Sequence, residues 1–204
     1  MPQPVLAPGP DGRPRCAWCL ATPRYLAYHD SEWGFPVADD QRLFEKLCLE
    51  GFQAGLSWRT ILDKREGFRA AFARFDIDML AHWGAAEVAR LVTNPAIVRH
   101  RGKIEAALNN ARRAQELARS EGSLARYFWR FEPQPEELAA HRGVSTSPRS
   151  IALSKDLKKR GWKFVGSTTT HSFLQAMGFV NDHAEGCAIR ARVAAARAAF
   201  QPPR

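Results

Sequence analysis

The 204 residues contain no apolar run that approaches the ~20 residues of a membrane-spanning helix, so no membrane association is expected. The opening "MPQPVLAPGPDGRPR" is too rich in proline and too polar for a secretory signal; residues 1–14 read as a flexible tail. Cysteines number four, at Cys16, Cys19, Cys48 and Cys187. Without a secretory signal they are not expected to form a disulfide framework, which points to a cytoplasmic thiol protein and makes a bound metal the question. No internal repeat and no heptad array is found, so neither a solenoid nor a coiled coil is expected. Strand signals are nearly missing, with "KFV" the one fragment and too short to count. Acidic side chains are in deficit, 21 against 30 lysines and arginines. A net charge of +9 attracts polyanions, nucleic acid first, although the Ala/Arg-rich tail at 188–204 inflates it.

What is present is helical periodicity. Asp39 or Asp40 can cap a helix carrying Leu43, Leu47 and Glu50. Phe68, Phe72 and Phe75 follow at helical spacing, and "AAEVARLV", "KIEAALNNARRAQELA", "LARYFWRF", "SIALSKDLKKRG" and "SFLQAMGFV" read as further helices. Residues 132–149 read as a loop joining two lobes. The class is all-α. One helix poses a problem: at about 100° per residue, Glu50 in "LFEKLCLEGFQAGLSW" falls on the apolar line of Leu43, Leu47 and Ala54. A buried carboxylate without a partner costs several kcal/mol or goes neutral. It must have a hidden partner or face a ligand.

Three groups of residues carry chemistry. "CAWC" followed by His29, and "NDHAEGC" with His183 and Cys187 four apart, could together hold a tetrahedral Zn²⁺ with half its ligands from each end of the chain. Cys16 or Cys19 could ligate, and a three-cysteine set stays open. Tyrosines and tryptophans are few, three and six, yet Trp18, Tyr25, Tyr28 and Trp33 lie within sixteen residues, with Trp58 beyond. Aromatic planes with a few placed polar groups suit a base turned out of a duplex, each stacked face contributing ~1–3 kcal/mol. Finally, "RLVTNPAIVRHRGKIEAAL" is a short helix, a break and a second helix, with Arg99, Arg101, Gly102 and Lys103 at the second helix's start. Free amides and basic side chains there would grip a phosphate backbone.

Taken together, "RCAW", "YLAYHDSEWG", "LFEKLCLEGFQAGLSW", "VRHRGKI", "LKKRGWKFVG" and "GFVNDHAEGC" resemble the 3-methyladenine DNA glycosylase I (Tag) family, from about Arg15 to Cys187. The resemblance implies a helix-hairpin-helix glycosylase fold over residues 15–187, with two lobes, a cleft between them and a structural zinc joining the termini. It implies Cys16, His29, His183 and Cys187 as ligands, leaving Cys19 out. Glu50, Tyr28 and Trp58 match the base pocket; Trp18, Tyr25 and Trp33 match its wall; Leu56 matches a residue that wedges into the duplex. His171 stands where an aromatic residue is expected. The implied activity is monofunctional hydrolysis of the N-glycosidic bond of 3-methyladenine in alkylated double-stranded DNA, by a monomer, with Glu50 accepting hydrogen bonds from the extruded purine. A zinc-stapled module that grips damaged DNA without cutting a bond shares every feature except a productive pocket.

Overall fold

In a computed structural model the described residues are 5–141 and 143–203; of the two tails, residues 1–4 and 204 lie outside them. The chain forms a two-stranded antiparallel hairpin and then a helical body. Strand β1 (Leu6–Pro8) pairs with β2 (Pro14–Cys16), Leu6 opposite Cys16. Helices follow: α1 (Pro23–Ser31), α2 (Asp40–Gln53), α3 (Trp58–Asp63), α4 (Arg65–Ala71), α5 (Ile77–His82) and α6 (Ala85–Leu91). After the break come α7 (Arg101–Glu121), α8 (Leu124–Trp129), α9 (Pro148–Lys159), α10 (Ser167–Ala176) and α11 (Arg190–Ala199).

Helix α2 is the axis of the molecule and packs against α3, α7, α8 and α10. Asp39 caps it, its side chain accepting from the Arg42 amide at 2.8 Å. Asp40 reaches across and accepts from the amides of Leu124 and Ala125 at 2.9 and 2.8 Å, so the first turn of α2 also satisfies the start of α8. Every residue from Leu43 to Phe52 is buried, whatever its polarity, because the helix is enclosed on all sides. The polar members are therefore paired: Glu45 with Arg69 at 2.7 Å, Glu50 with Lys46 at 2.7 Å.

Three expectations change. The segments read as tails carry β1 and α11, and both are pinned: the Ala188 amide donates to the Pro14 carbonyl, and Val193 is fully buried. The loop at 132–149 contains a 3₁₀ segment, Pro135–His141. Phe68, Phe72 and Phe75 do form one packed face, but not on one helix. α4 stops at Ala71, and Ala73, Arg74 and Phe75 all take positive φ (48°, 54° and 62°). Left-handed backbone costs roughly 1–2 kcal/mol per L-residue. Here it turns the chain back so that the Phe72 and Phe75 rings stack at 5.6 Å and 5° with no solvent exposure.

Candidate functional site

Helices α1, α2 and α3 bring Tyr28, Glu50 and Trp58 to one point, and the side chain that occupies that point is Lys46. Its Nζ lies 2.7 Å from Glu50 Oε1 and donates to Tyr28 Oη at 2.8 Å. It sits 3.1 Å from the centroid of the Trp58 ring, a cation–π contact. Tyr28 and Trp58 tilt toward each other, centroids 5.4 Å apart. The residues alone leave a hidden partner or a ligand open for Glu50, and the family resemblance implies a carboxylate facing a ligand; it is 5% exposed and ion-paired. Its partner stands one turn earlier on the same helix. Spacing of i, i+4 places a lysine and a glutamate on one face, a signal present in "LFEKLCLE" and the missed clue to Lys46.

Burial sets the protonation of these groups. The Tyr28 phenol is pushed well above its ordinary pKa by desolvation, with Glu50 adding to it. Lys46 is pulled down to about 8 by desolvation against the opposing pull of Glu50. Trp58 Nε1 is buried with no hydrogen-bond partner among the described residues, an unspent donor in a site rich in aromatic surface. Tyr25 is half-buried and near enough to Glu50 for the carboxylate to help raise its pKa, second to desolvation. Trp18 stacks obliquely on Tyr25 at 4.9 Å. Trp33 is placed differently: its ring packs on His29, His183 and Trp18, toward the histidines.

Those histidines belong to a second cluster. One ligand atom each from Cys16, His29, His183 and Cys187, all buried, lie within 4.8 Å of one another. Cys19 is buried but is not one of this set. The hydrogen bonds fix both tautomers. His29 Nδ1 faces Asp30 Oδ1 at 2.7 Å, and His183 Nε2 faces the Trp33 carbonyl at 3.0 Å. Both partners only accept, so these nitrogens carry the protons. The inner nitrogens, His29 Nε2 and His183 Nδ1, are then bare and 3.0 Å apart. Burial holds His29 below its ordinary pKa and His183 down at about 4, so neither ring gains a second proton at neutral pH. Two lone pairs and two sulfurs converging on one buried point fit a metal ion, with Asp30 and its partner Arg15 (3.0 Å) as the supporting layer.

The basic break between α6 and α7 divides the predicted backbone contacts. Arg99 and Arg101 are exposed. Lys103 turns inward, 7% exposed, and its ammonium donates to the carbonyls of Phe52 and Ala54 at the end of α2. Unsatisfied carbonyls at a helix C-terminus draw a cation, and that outweighs any role toward a phosphate. The α7 amides are also partly spent, since His100 Nδ1 accepts from the Lys103 amide at 3.3 Å. Gly102 leaves ordinary contact distance to His100. The turn itself is docked on α4: a Cβ on Gly67 would come within 2.5 Å of the Ala96 carbonyl. Leu56, after Gly55 (φ +79°), is 44% exposed on the loop between α2 and α3. His171 is buried against Ser147 and His141. We expect Arg101→Ala to lower DNA affinity for every sequence and to reduce the salt slope by up to about one charge. Lys103→Met is expected to lower Tm and leave that slope unchanged; a salt titration with paired melting curves separates the two.

The profile of a family described as "Methyladenine glycosylase" matches residues 18–191. The chain is 48% identical over 177 residues to "DNA-3-methyladenine glycosylase 1" of Escherichia coli K12, covering 85% of this chain and 95% of that protein. It is 43% identical to the "DNA-3-methyladenine glycosylase" of Haemophilus influenzae, covering 85% and 96%. Among solved structures, one from Staphylococcus aureus that describes 3-methyladenine recognition superposes with a TM-score of 0.80 at 39% identity, over 86% of this chain and 96% of that one.

Proposed function

The chain belongs to the methyladenine glycosylase family, and on that premise we propose that it is a monofunctional DNA repair glycosylase that hydrolyses the N-glycosidic bond of 3-methyladenine. The observation that carries this reading is the convergence of a carboxylate, a phenol and an indole face on one cation. Alkylation at N3 makes adenine such a cation and weakens its bond to deoxyribose. The leaving group is already activated, so the pocket has to extrude, hold and discriminate rather than protonate. Trp58 and Tyr28 offer ring faces, Trp18 and Tyr25 the wall, and Trp58 Nε1 a free donor. Glu50 accepts from the exocyclic amine side and balances the charge. The C1′–N9 bond breaks with its electron pair going to N9, and water adds to C1′.

On this reading Leu56 fills the gap left in the duplex, paying part of the few kcal/mol that flipping costs. Helices α6 and α7 act as a helix-hairpin-helix element on one strand's backbone through Arg99, Arg101 and Gly102, with Lys103 holding α2 rather than a phosphate. Residues 15–187 form the catalytic unit, in two lobes with the cleft between them, and the protein works as a cytoplasmic monomer on double-stranded DNA. The buried cluster holds a structural zinc on Cys16, His29, His183 and Cys187, which when bound supplies a closed four-ligand staple between the ends of the chain. Among the described residues no helix is long and apolar enough to cross a membrane.

The deciding experiment is incubation with methylated DNA followed by chromatography of the freed bases. Free 3-methyladenine and an intact abasic strand are expected. Binding without base release would leave a DNA-binding module, and strand cleavage without heat or alkali would overturn the monofunctional assignment.

A further inference from the structure

The pocket contains a cation of its own. Lys46 is as buried as Glu50, both 5% exposed, and its ammonium makes three contacts: the Glu50 carboxylate, the Tyr28 hydroxyl and the Trp58 face. These are the same three groups proposed above to bind the alkylated base. The ammonium and a purine ring cannot both occupy the Trp58 face that borders Tyr28, since the ammonium already lies 3.1 Å from that indole centroid and is bonded to Tyr28. Ligand entry is therefore an exchange, and it requires the lysine stem to swing out.

We propose that Lys46 is a resident counter-cation that the cationic substrate base displaces and that expels the base again once cleavage has made it neutral. This rests on the glycosylase reading and deepens it. The displacement cost is the same for substrate and product, because the same Lys46–Glu50 pair is broken. What differs is the return. The substrate base brings a positive charge to Glu50. When the C1′–N9 pair collapses onto N9 that charge leaves the base; water adds to C1′ and its proton passes to solvent. The product then holds the pocket by stacking and hydrogen bonds alone, against an ammonium that regains an ion pair. The lysine has the means to do this: a flexible four-carbon stem and a compact charge. Its pKa, lowered to about 8 by burial with Glu50 opposing, still leaves it largely charged at neutral pH. The other charges that act on it are Glu32, which favours the ammonium, and Arg65, which opposes it; these two are themselves paired at 2.7 Å.

The test titrates 3-methyladenine into wild type, Lys46→Met and Lys46→Arg, and follows excision over many turnovers. Lys46→Met is expected to bind the product at least tenfold more tightly and to release base in a burst followed by a slower steady rate. Lys46→Arg, which keeps a cation, is expected to retain weak product binding. Product binding in Lys46→Met equal to or weaker than wild type overturns the proposal. If Lys46→Met does not fold, Lys46→Gln, which keeps a donor for Glu50 without the charge, decides by the same criterion. Base release by wild type in a single turnover tests the glycosylase reading separately, whatever the variants do.

Discussion

Glu50→Gln is expected to reduce base release by on the order of 10²-fold or more while leaving the fold and general DNA affinity in place. Among the described residues it is the carboxylate bonded to the ammonium between Tyr28 and Trp58, and amide substitution keeps its shape while removing its charge. The choice of glutamine matters. Glu50→Gln and Glu50→Ala both remove the counter-charge of the Lys46 ammonium, but glutamine keeps an oxygen that can accept from it, whereas Glu50→Ala removes the acceptor as well and so approaches the about 3–5 kcal/mol that breaking one side of a buried pair costs. A loss of activity in the alanine variant would then mix chemistry with unfolding. The measurement is single-turnover base release from methylated DNA, with a melting curve and a binding isotherm on undamaged duplex. Unimpaired release by a folded Glu50→Gln protein would remove Glu50 from the mechanism.

The second large effect concerns the cysteine–histidine cluster. Cys187→Ser, or stripping the metal with a chelator, is expected to lower Tm by roughly 10 °C or more, since each kcal/mol lost moves Tm by about 2–4 °C in a chain of this size and metal binding is coupled to folding. The site is fully buried and its inner histidine nitrogens face each other bare at 3.0 Å, so removal of the cation leaves like ends in contact. Metal content measured by elemental analysis should be one zinc per chain in wild type. Lost turnover with unchanged melting would make the metal catalytic and the structural assignment wrong.

The two clusters differ in how they could be read from sequence. The cysteine–histidine cluster was legible in kind from "CAWC", His29 and "NDHAEGC", because sulfur and imidazole at those spacings can share one ligand point, and the structure brings Cys16, His29, His183 and Cys187 together. Choosing Cys16 over Cys19 needed the family resemblance, since both lie in the same CxxC. The pocket was harder. Periodicity put Glu50 on a buried line, and that part holds. It also put Ala54 there, yet Ala54 is the exposed C-cap, because the helix ends before its pattern does. The pattern could not say that α2 is enclosed on every side, which is a property of its neighbours. Hence the apolar periodicity gives Lys46 no buried role. Lys103 failed for the same reason: "VRHRGKI" shows a run of basic residues, but which of them face the carbonyls of Phe52 and Ala54 depends on a helix fifty residues earlier. The positive-φ turn at 73–75 carries no glycine to announce it.

Cys16 and His29 lie early in the chain, His183 and Cys187 late, and their donor atoms meet at one point. During translation the cluster cannot close until residue 187 has left the ribosome. Helix α1 carries His29 next to Tyr28, so closure of the cluster also ties down the helix that presents Tyr28 to Lys46. Helices α1 to α10 therefore precede the closure of the cluster in synthesis, and α11 follows it. If the cluster takes up a metal ion as proposed, all four ligands are available to it only from that point in synthesis onward.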